Sequence, residues 1–144
     1  KGEKPWGIKV DIAMPCATQN EIGIKEAKQI IANGTKYYIE VANMPTTEEA
    51  LNFLIDRKEV IVAPSKAVNA GGVCVSGLEM SQNSQRLSWT AEEVDEKLHN
   101  AMINIHKHSV EAAEKYGLGY DLVAGANIAG FEKVAEAMMA QGIY

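Results

Sequence analysis

Amide side chains stand at two places where the chain passes from an apolar run into a polar turn. Asn43 directly follows the apolar run 36–42, and Asn69 comes a few residues after the run 60–63. A carboxamide both donates and accepts hydrogen bonds, so it suits another carboxamide, a ribose hydroxyl or a carboxylate. Asn also favours turns and helix caps for local reasons, and from spacing alone both interpretations stay open.

Cys16 and Ser76 are the two candidate nucleophiles. Cys16 follows the apolar run 8–14 with no histidine nearby in sequence, so a small buried cysteine at a strand end is the simpler interpretation. Ser76 is preceded two residues earlier by Cys74 rather than glycine, which argues against a hydrolase elbow. On a helix Ser76 and Val73 share a face, where they either shape a small pocket or simply pack.

The three histidines, His99, His106 and His108, fall within one predicted helix. Neither a carboxylate nor a cysteine joins them in a metal-ligand spacing, so we predict surface histidines and no metal site. Lys66 follows a predicted strand, but a single lysine in that position is interpreted as solvated and receives no role.

Composition excludes several classes of function. The 144 residues carry a formal net charge of −5, and 47% of them are apolar. This length and apolar fraction are enough for one core in a single unit. Scattered Lys and Arg argue against a nucleic-acid partner, and no run reaches the ~18 apolar residues of a membrane span. Cys16 and Cys74 are expected to be free thiols, as in the cytoplasm. Because the sequence begins with Lys1 rather than with Met, we expect a processed product or a piece of a longer protein.

The elements that position these residues alternate between two periodicities. The runs 8–14, 36–42 and 60–63 have the character of strands, and each is followed by a polar turn containing proline. Helical patterns separate them. The first is predicted to stop at Asn33 and Gly34, and the second is predicted to start with a capping box formed by Thr46 and Glu49. This order predicts α/β structure with parallel strands, half of a doubly wound sheet in which ligands bind at the carboxyl ends of the strands.

Beyond Asn69 the chain is predicted to be helical to its end. Thr90 and Glu93 form a second capping box ahead of a long helix that stops near Gly117. The sequence contains neither Gly-x-Gly-x-x-Gly nor a P-loop, so it lacks a recognisable phosphate-binding loop. A final amphipathic segment carries Ile128, Phe131, Val134, Ala135, Met138 and Met139.

Five segments together resemble one enzyme family. In chain order they read PCATQNE, EVANMPTT, KAVNAGGV, SGLEMSQN and GANIAGF, and they span residues 15–131. They resemble the C-terminal part of the small-subunit, hexameric glutamate dehydrogenases, over essentially the whole chain. The resemblance implies the C-terminal half of a Rossmann-like doubly wound parallel sheet followed by a helical C-terminal segment. Residues 1–120 would belong to the cofactor domain, and 121–144 would pack toward a substrate domain outside this chain.

The resemblance also implies an activity and a set of site residues. The family interconverts L-glutamate with 2-oxoglutarate and ammonium, uses NAD or NADP, and assembles as homohexamers. Ser76 and Val73 are implied to bind the substrate. Residues implied to bind the cofactor are Cys16, Ala17, Gln19, Asn43 and Asn69.

No catalytic residue is predicted in this chain, because the family's catalytic lysine and aspartate and its glycine fingerprint have no counterpart here. We therefore expect the chain alone to be inactive. A contrasting hypothesis is a stand-alone, non-enzymatic module that binds a nucleotide or another small ligand. A half-sheet also has an exposed strand edge, through which the isolated chain is expected to dimerise.

Overall fold

The computed structural model describes residues 2–142, and the chain divides into two compact units, 1–69 and 70–144. The first unit contains a short 3₁₀ turn, three strands and three helices. These are Pro5–Gly7, β1 (Ile12–Ala13), α1 (Ile24–Ala32), β2 (Tyr37–Ile39), α2 (Glu48–Ile55), β3 (Ile61–Ala63) and α3 (Ser65–Val68). The second unit contains α4 (Ala70–Gln85), α5 (Ala91–Lys115) and α6 (Leu122–Gln141).

The three strands form a parallel sheet in the order β1, β2, β3, so the predicted α/β class is confirmed. Each paired strand is shorter than its apolar run. Backbone hydrogen bonds extend the pairing beyond both ends of the strands, for example from Lys36 N to Asp11 O at 2.9 Å and from Glu40 N to Ala63 O at 3.0 Å. The runs therefore predict the strand positions, whereas register and twist limit the length of each ladder.

The two faces of this sheet differ in burial. On one face Ala13, Tyr38 and Val62 are buried, and they share the core with apolar residues of the helices. On the other face Ile12 is 53% exposed and Tyr37 is 43% exposed. Within this chain the second strand is therefore buried on one face and partly exposed on the other. Core residues contributed by α1 and α2 are Ala27, Ile30, Ala50 and Leu54.

In the first unit, the end of α1 is determined by local sequence, whereas the start of α2 is determined by a tertiary hydrogen bond. Helix α1 ends as predicted, with Asn33 as its C-cap and Gly34 at φ +74°. Helix α2 does not begin with the predicted capping box. The N-cap is Thr47 rather than Thr46, and its side chain makes no capping bond. The hydroxyl of the buried Thr46 cannot cap the helix because it is hydrogen-bonded to the Tyr38 hydroxyl at 2.6 Å.

The second unit is helical, as predicted. Thr90 accepts a hydrogen bond from Glu93 N at 3.2 Å and Glu93 Oε2 accepts one from Thr90 N at 2.7 Å, which confirms the second capping box. Helix α5 ends at Lys115 and is followed by Gly117 at φ +73°, close to the predicted stop. Helix α6 runs to Gln141, with Gly142 as its C-cap at φ +79°.

Helix α6 packs on α5 through its amino-terminal half. Gly125 is buried there, and a Cβ built on it would collide with the carbonyl oxygen of Ser109. The carboxyl-terminal half does not bury the apolar face that its periodicity predicts. Its exposed side chains are Phe131 (69%), Val134 (57%), Met138 (64%) and Met139 (82%).

None of the helices between residues 2 and 142 has the length and apolarity needed to cross a bilayer. The expected division between 1–120 and 121–144 is defined by a domain outside this chain, and it stays a prediction.

Replacing Gly125 by Ala should destabilise the second unit. The added methyl meets the Ser109 backbone, which cannot move without shifting α5, so the free energy of unfolding should fall by about 1–3 kcal/mol or more. Gly130→Ala is the matched control, because the Cβ at Gly130 in the same helix meets nothing within 4 Å. Its helix propensity should raise stability by roughly 0.5–1 kcal/mol. Urea unfolding measures both, and equal effects would contradict the close approach of the two helices.

Candidate functional site

The carboxyl ends of β1 and β2 are joined directly by backbone hydrogen bonds. The carbonyl oxygen of Pro15 accepts from Val41 N at 3.2 Å and from Ala42 N at 2.9 Å. Because the strands are parallel, these bonds bring both polar turns to the same edge of the sheet.

Two residues with left-handed backbone hold the first two turns together. Asn20 has φ +56° and Met44 has φ +48°, and Asn20 N donates to Met44 O at 3.0 Å. Ile22 N donates to Pro45 O at 3.0 Å immediately beyond. A non-glycine residue in this region is strained, and it persists where surrounding contacts determine the backbone. The two turns thus form one connected surface.

The two candidate asparagines are brought together. Asn69 Nδ2 donates to Asn43 Oδ1 at 2.7 Å and to Val41 O at 3.2 Å. Asn43 is exposed, whereas Asn69 is half-buried as the C-cap of α3. The paired amides present hydrogen-bonding groups of both kinds at the strand ends, as a ligand that carries its own carboxamide requires.

The remaining residues of the first turn are exposed. Cys16 is exposed and its Sγ donates to Met14 O at 3.2 Å, so the expectation of a buried cysteine is wrong. The strand ends before Cys16, and the turn directs the thiol to solvent. Ala17 and Gln19 are also exposed, and Ala17 N donates to Glu21 Oε1 at 3.2 Å.

Tyr38 of β2 holds the turn that follows this strand from the core side. Its ring is fully buried, and its hydroxyl forms the 2.6 Å hydrogen bond with Thr46 Oγ1. Burial raises the pKa of Tyr38 far above its usual value, and the nearby carboxylates of Glu40 and Glu21 add to the increase. The phenol therefore stays neutral and acts as a fixed hydrogen-bonding group.

Sequence reasoning assigned no role to Glu40, which is only 3% exposed at the end of β2. Its Oε2 accepts a hydrogen bond from Ser65 N at 3.1 Å. The sequence signal for this role is an acidic residue directly after an apolar strand. A carboxylate is rarely fully buried without partners, so a buried one at that position indicates a hydrogen-bonding role.

Ser76 and Val73 lie in the second unit, on α4. Val73 is 76% exposed, and Ser76 is exposed with its Oγ donating to Gly72 O at 3.1 Å. Neither side chain belongs to a packed core within the part of the chain that the structure describes. The hydroxyl of Ser76 can exchange its bond within the helix for one to a ligand.

The histidines are on the surface, as predicted. His99, His106 and His108 are all exposed, and His106 Nε2 is hydrogen-bonded to Tyr120 Oη at 2.7 Å. Within residues 2–142, no three side chains of His, Cys, Asp or Glu are grouped so that they could hold a metal ion.

Comparison with known proteins gives a consistent family. The family model described as "Glutamate/Leucine/Phenylalanine/Valine dehydrogenase" matches residues 1–142. The chain is 72% identical over 142 residues to an NAD-specific glutamate dehydrogenase of Clostridium symbiosum, covering 99% of the chain and 32% of that protein. It is 53% identical over 149 residues to an NADP-specific glutamate dehydrogenase of Haemophilus influenzae, covering 100% and 32%.

Solved structures agree. A structure described as glutamate dehydrogenase is 72% identical with a TM-score of 0.96, and the match covers 99% of this chain and 32% of that one. Plasmodium falciparum glutamate dehydrogenase is 53% identical with a TM-score of 0.92, covering 99% and 30%. This chain therefore spans about a third of the length of the relatives that it matches.

Tyr38→Phe should lower the free energy of unfolding of the first unit. The change leaves the buried hydroxyl of Thr46 without its phenol partner, which costs about 1–2 kcal/mol. Tyr37→Phe is the matched control on the adjacent, 43% exposed residue, and should change stability by less than about 0.5 kcal/mol. Both are measured by urea unfolding. Equal losses in the two variants would show that the Tyr38 hydrogen bond does not hold the turn.

Proposed function

The chain belongs to the glutamate/leucine/phenylalanine/valine dehydrogenase family, and on that premise we propose that it forms part of an NAD(P)-dependent glutamate dehydrogenase. The complete protein oxidatively deaminates L-glutamate to 2-oxoglutarate and ammonium. The names of the relatives support this activity, since they include NAD-specific, NADP-specific and NAD(P)-specific glutamate dehydrogenases. Those names do not favour one dinucleotide over the other.

The observation that carries the proposal is the Asn43–Asn69 amide pair at the carboxyl ends of adjacent parallel strands. Its donor and acceptor chemistry fits the carboxamide of nicotinamide and the ribose hydroxyls beside it. Cys16, Ala17 and Gln19 would line the neighbouring part of the cofactor site, because the first turn is bonded to the second. The phosphates would be held outside this chain, which contains no glycine fingerprint.

Ser76 and Val73 would contact the substrate. The Ser76 hydroxyl can donate to a carboxylate of glutamate, and the exposed Val73 side chain can bound the pocket for the methylenes. Both lie within one turn of α4, so a single rigid helix would present them together.

The role of this chain in the reaction is positioning. A bound dinucleotide would supply the hydride acceptor, and the strand-end turns would orient its nicotinamide ring toward the substrate carbon. Closure against the rest of the polypeptide would exclude water. The acid and base groups would come from outside the chain, as the resemblance implies.

Exposed apolar groups support the view that more polypeptide packs on this chain. Parallel sheets are normally covered on both faces, yet Ile12 and Tyr37 are exposed. The stripe formed by Phe131, Val134 and Met138 on α6 is likewise exposed, and residues 121–144 would pack toward the substrate domain.

The isolated chain should neither oxidise glutamate nor saturate with dinucleotide, whereas the complete polypeptide should do both. Calorimetric titration of the chain with NAD and NADP should show no saturable binding below about 1 mM. An absorbance assay at 340 nm measures turnover. Saturable binding by the isolated chain, with no turnover by the complete protein, would instead support a stand-alone binding module. Glutamate oxidation by the 144 residues alone would contradict the proposal that the acid and base groups lie outside this chain.

The complete protein would assemble as a homohexamer in the cytoplasm. A similar structure, 27% identical with a TM-score of 0.86, is described as a hetero-hexameric glutamate dehydrogenase from Thermus thermophilus. Its match covers 96% of this chain and 32% of that one. Two free cysteines, Cys16 and Cys74, support a reducing compartment.

The isolated chain should dimerise through the edge of its sheet, where β1 has β2 on one side. Ile12→Lys should weaken that association, because a charge on an exposed edge residue opposes strand pairing. Ile103→Lys is the control, a residue of similar exposure (50%) on α5. Light scattering at increasing concentration measures the mass. A monomer at all concentrations, or equal effects of the two substitutions, would contradict the edge contact.

A further inference from the structure

Glu40 is a buried carboxylate that none of the proposed roles uses. It directly follows β2 and is 3% exposed, so its side chain is almost entirely withdrawn from water. Burying an ionised carboxylate is unfavourable unless hydrogen bonds compensate for the lost hydration. A group maintained there therefore requires fixed donors around it.

The donor that identifies its task is the backbone of Ser65. Glu40 Oε2 accepts from Ser65 N at 3.1 Å, and Ser65 is the first residue of α3. The N-cap of α3 is Pro64, whose side chain provides no capping acceptor. Glu40 thus caps α3 from a neighbouring strand, with the stronger hydrogen bond of a charged acceptor.

The other end of α3 is Asn69, the residue of the amide pair. Asn69 is the C-cap, and its backbone N donates to Ser65 O at 2.9 Å. Its side chain donates to Val41 O and Asn43 Oδ1, which follow Glu40 by one and three residues. One strand end therefore holds both ends of the same four-residue helix.

We propose that Glu40 is a positioning residue, which fixes α3 through Ser65 N and so holds the Asn69 amide against Asn43 where the dinucleotide would bind. A helix of one turn has little stability of its own, so its position depends on contacts at its two ends. Loss of the Glu40 contact removes the side-chain cap at the amino end of α3, while the Asn69 contacts at its carboxyl end remain. The amide pair then becomes less ordered, and the cost appears when dinucleotide binding has to reorder it.

This inference rests on the proposed function for its kinetic consequence, but its structural step can be measured without dinucleotide. In the complete polypeptide, Glu40→Ala should raise the KM for dinucleotide roughly ten-fold, as expected for losing a charged hydrogen bond. The kcat at saturating dinucleotide should change by less than about two-fold. Backbone amides of residues 65–69 should exchange faster with solvent deuterium in the ligand-free protein.

Two further variants separate positioning from general destabilisation. Glu40→Gln keeps an acceptor oxygen in place, so it should restore much of the dinucleotide affinity and exchange protection. Thr35→Val is the matched control, since Thr35 is 2% exposed and its hydroxyl donates to Val10 O at the opposite end of β2. It should lower stability while leaving both the KM and the exchange of 65–69 unchanged.

A double-mutant cycle with Asn69→Ala tests whether Glu40 acts on dinucleotide binding through Asn69. If Glu40 acts through Asn69, Glu40→Ala should add almost nothing to the KM of the Asn69→Ala protein. Fully additive effects, or an unchanged KM and unchanged exchange in folded Glu40→Ala protein, would overturn the proposal. If Glu40→Ala does not fold, Glu40→Leu, which has a similar volume but no acceptor oxygen, takes its place, and an unchanged KM together with unchanged exchange in that variant overturns it. Absence of glutamate oxidation by the unsubstituted protein would instead refute the proposed function, and the exchange result would still decide the structural step.

Discussion

The parallel pairing of β2 with strands on both sides is the constraint on which the rest of the site depends. Tyr38 aligns with Ala13 on one side and with Val62 on the other. Since all three strands run in the same direction, their carboxyl ends meet at one edge, and every polar turn of the first unit collects there. A shift of register by one residue would expose Tyr38 and bury Tyr37, so the buried phenol also specifies the alignment.

The site combines a rigid apolar base with polar groups that are themselves bonded to one another. Tyr38 and Thr46 fix the second turn from the core, and Asn43 and Asn69 bond to each other above it. Such prior pairing reduces the conformational entropy lost on binding, at the cost of rearranging a hydrogen bond when a ligand arrives. Glu40 extends this network into the core, where an uncompensated charge would be most costly.

Sequence patterns succeed here where structure is decided locally. The alternation of strands and helices, the stop at Asn33 and Gly34, and the capping box at Thr90 all depend on residues within a few positions of each other. They fail where a distant group competes. Thr46 fits a capping box in sequence, but the phenol of Tyr38 takes its hydroxyl.

The candidate site was predictable to a similar degree. The carboxyl ends of parallel strands identify Asn43 and Asn69 as neighbours, whereas their mutual hydrogen bond depends on the placement of α3 by Glu40. Helical periodicity indicates the apolar face of α6 but not what covers it, and Phe131 is exposed in this chain. The exposure of Cys16 likewise depends on where the ladder of β1 ends, which composition does not specify.

A structure of the complete polypeptide with bound NAD or NADP tests the central claim most directly. The account predicts that the nicotinamide and its ribose lie against the strand-end turns, with the amides of Asn43 and Asn69 within about 3.2 Å of ligand polar atoms. It also predicts that the phosphates are bound by residues outside this chain. A dinucleotide bound elsewhere, with no contact to either asparagine, would contradict it.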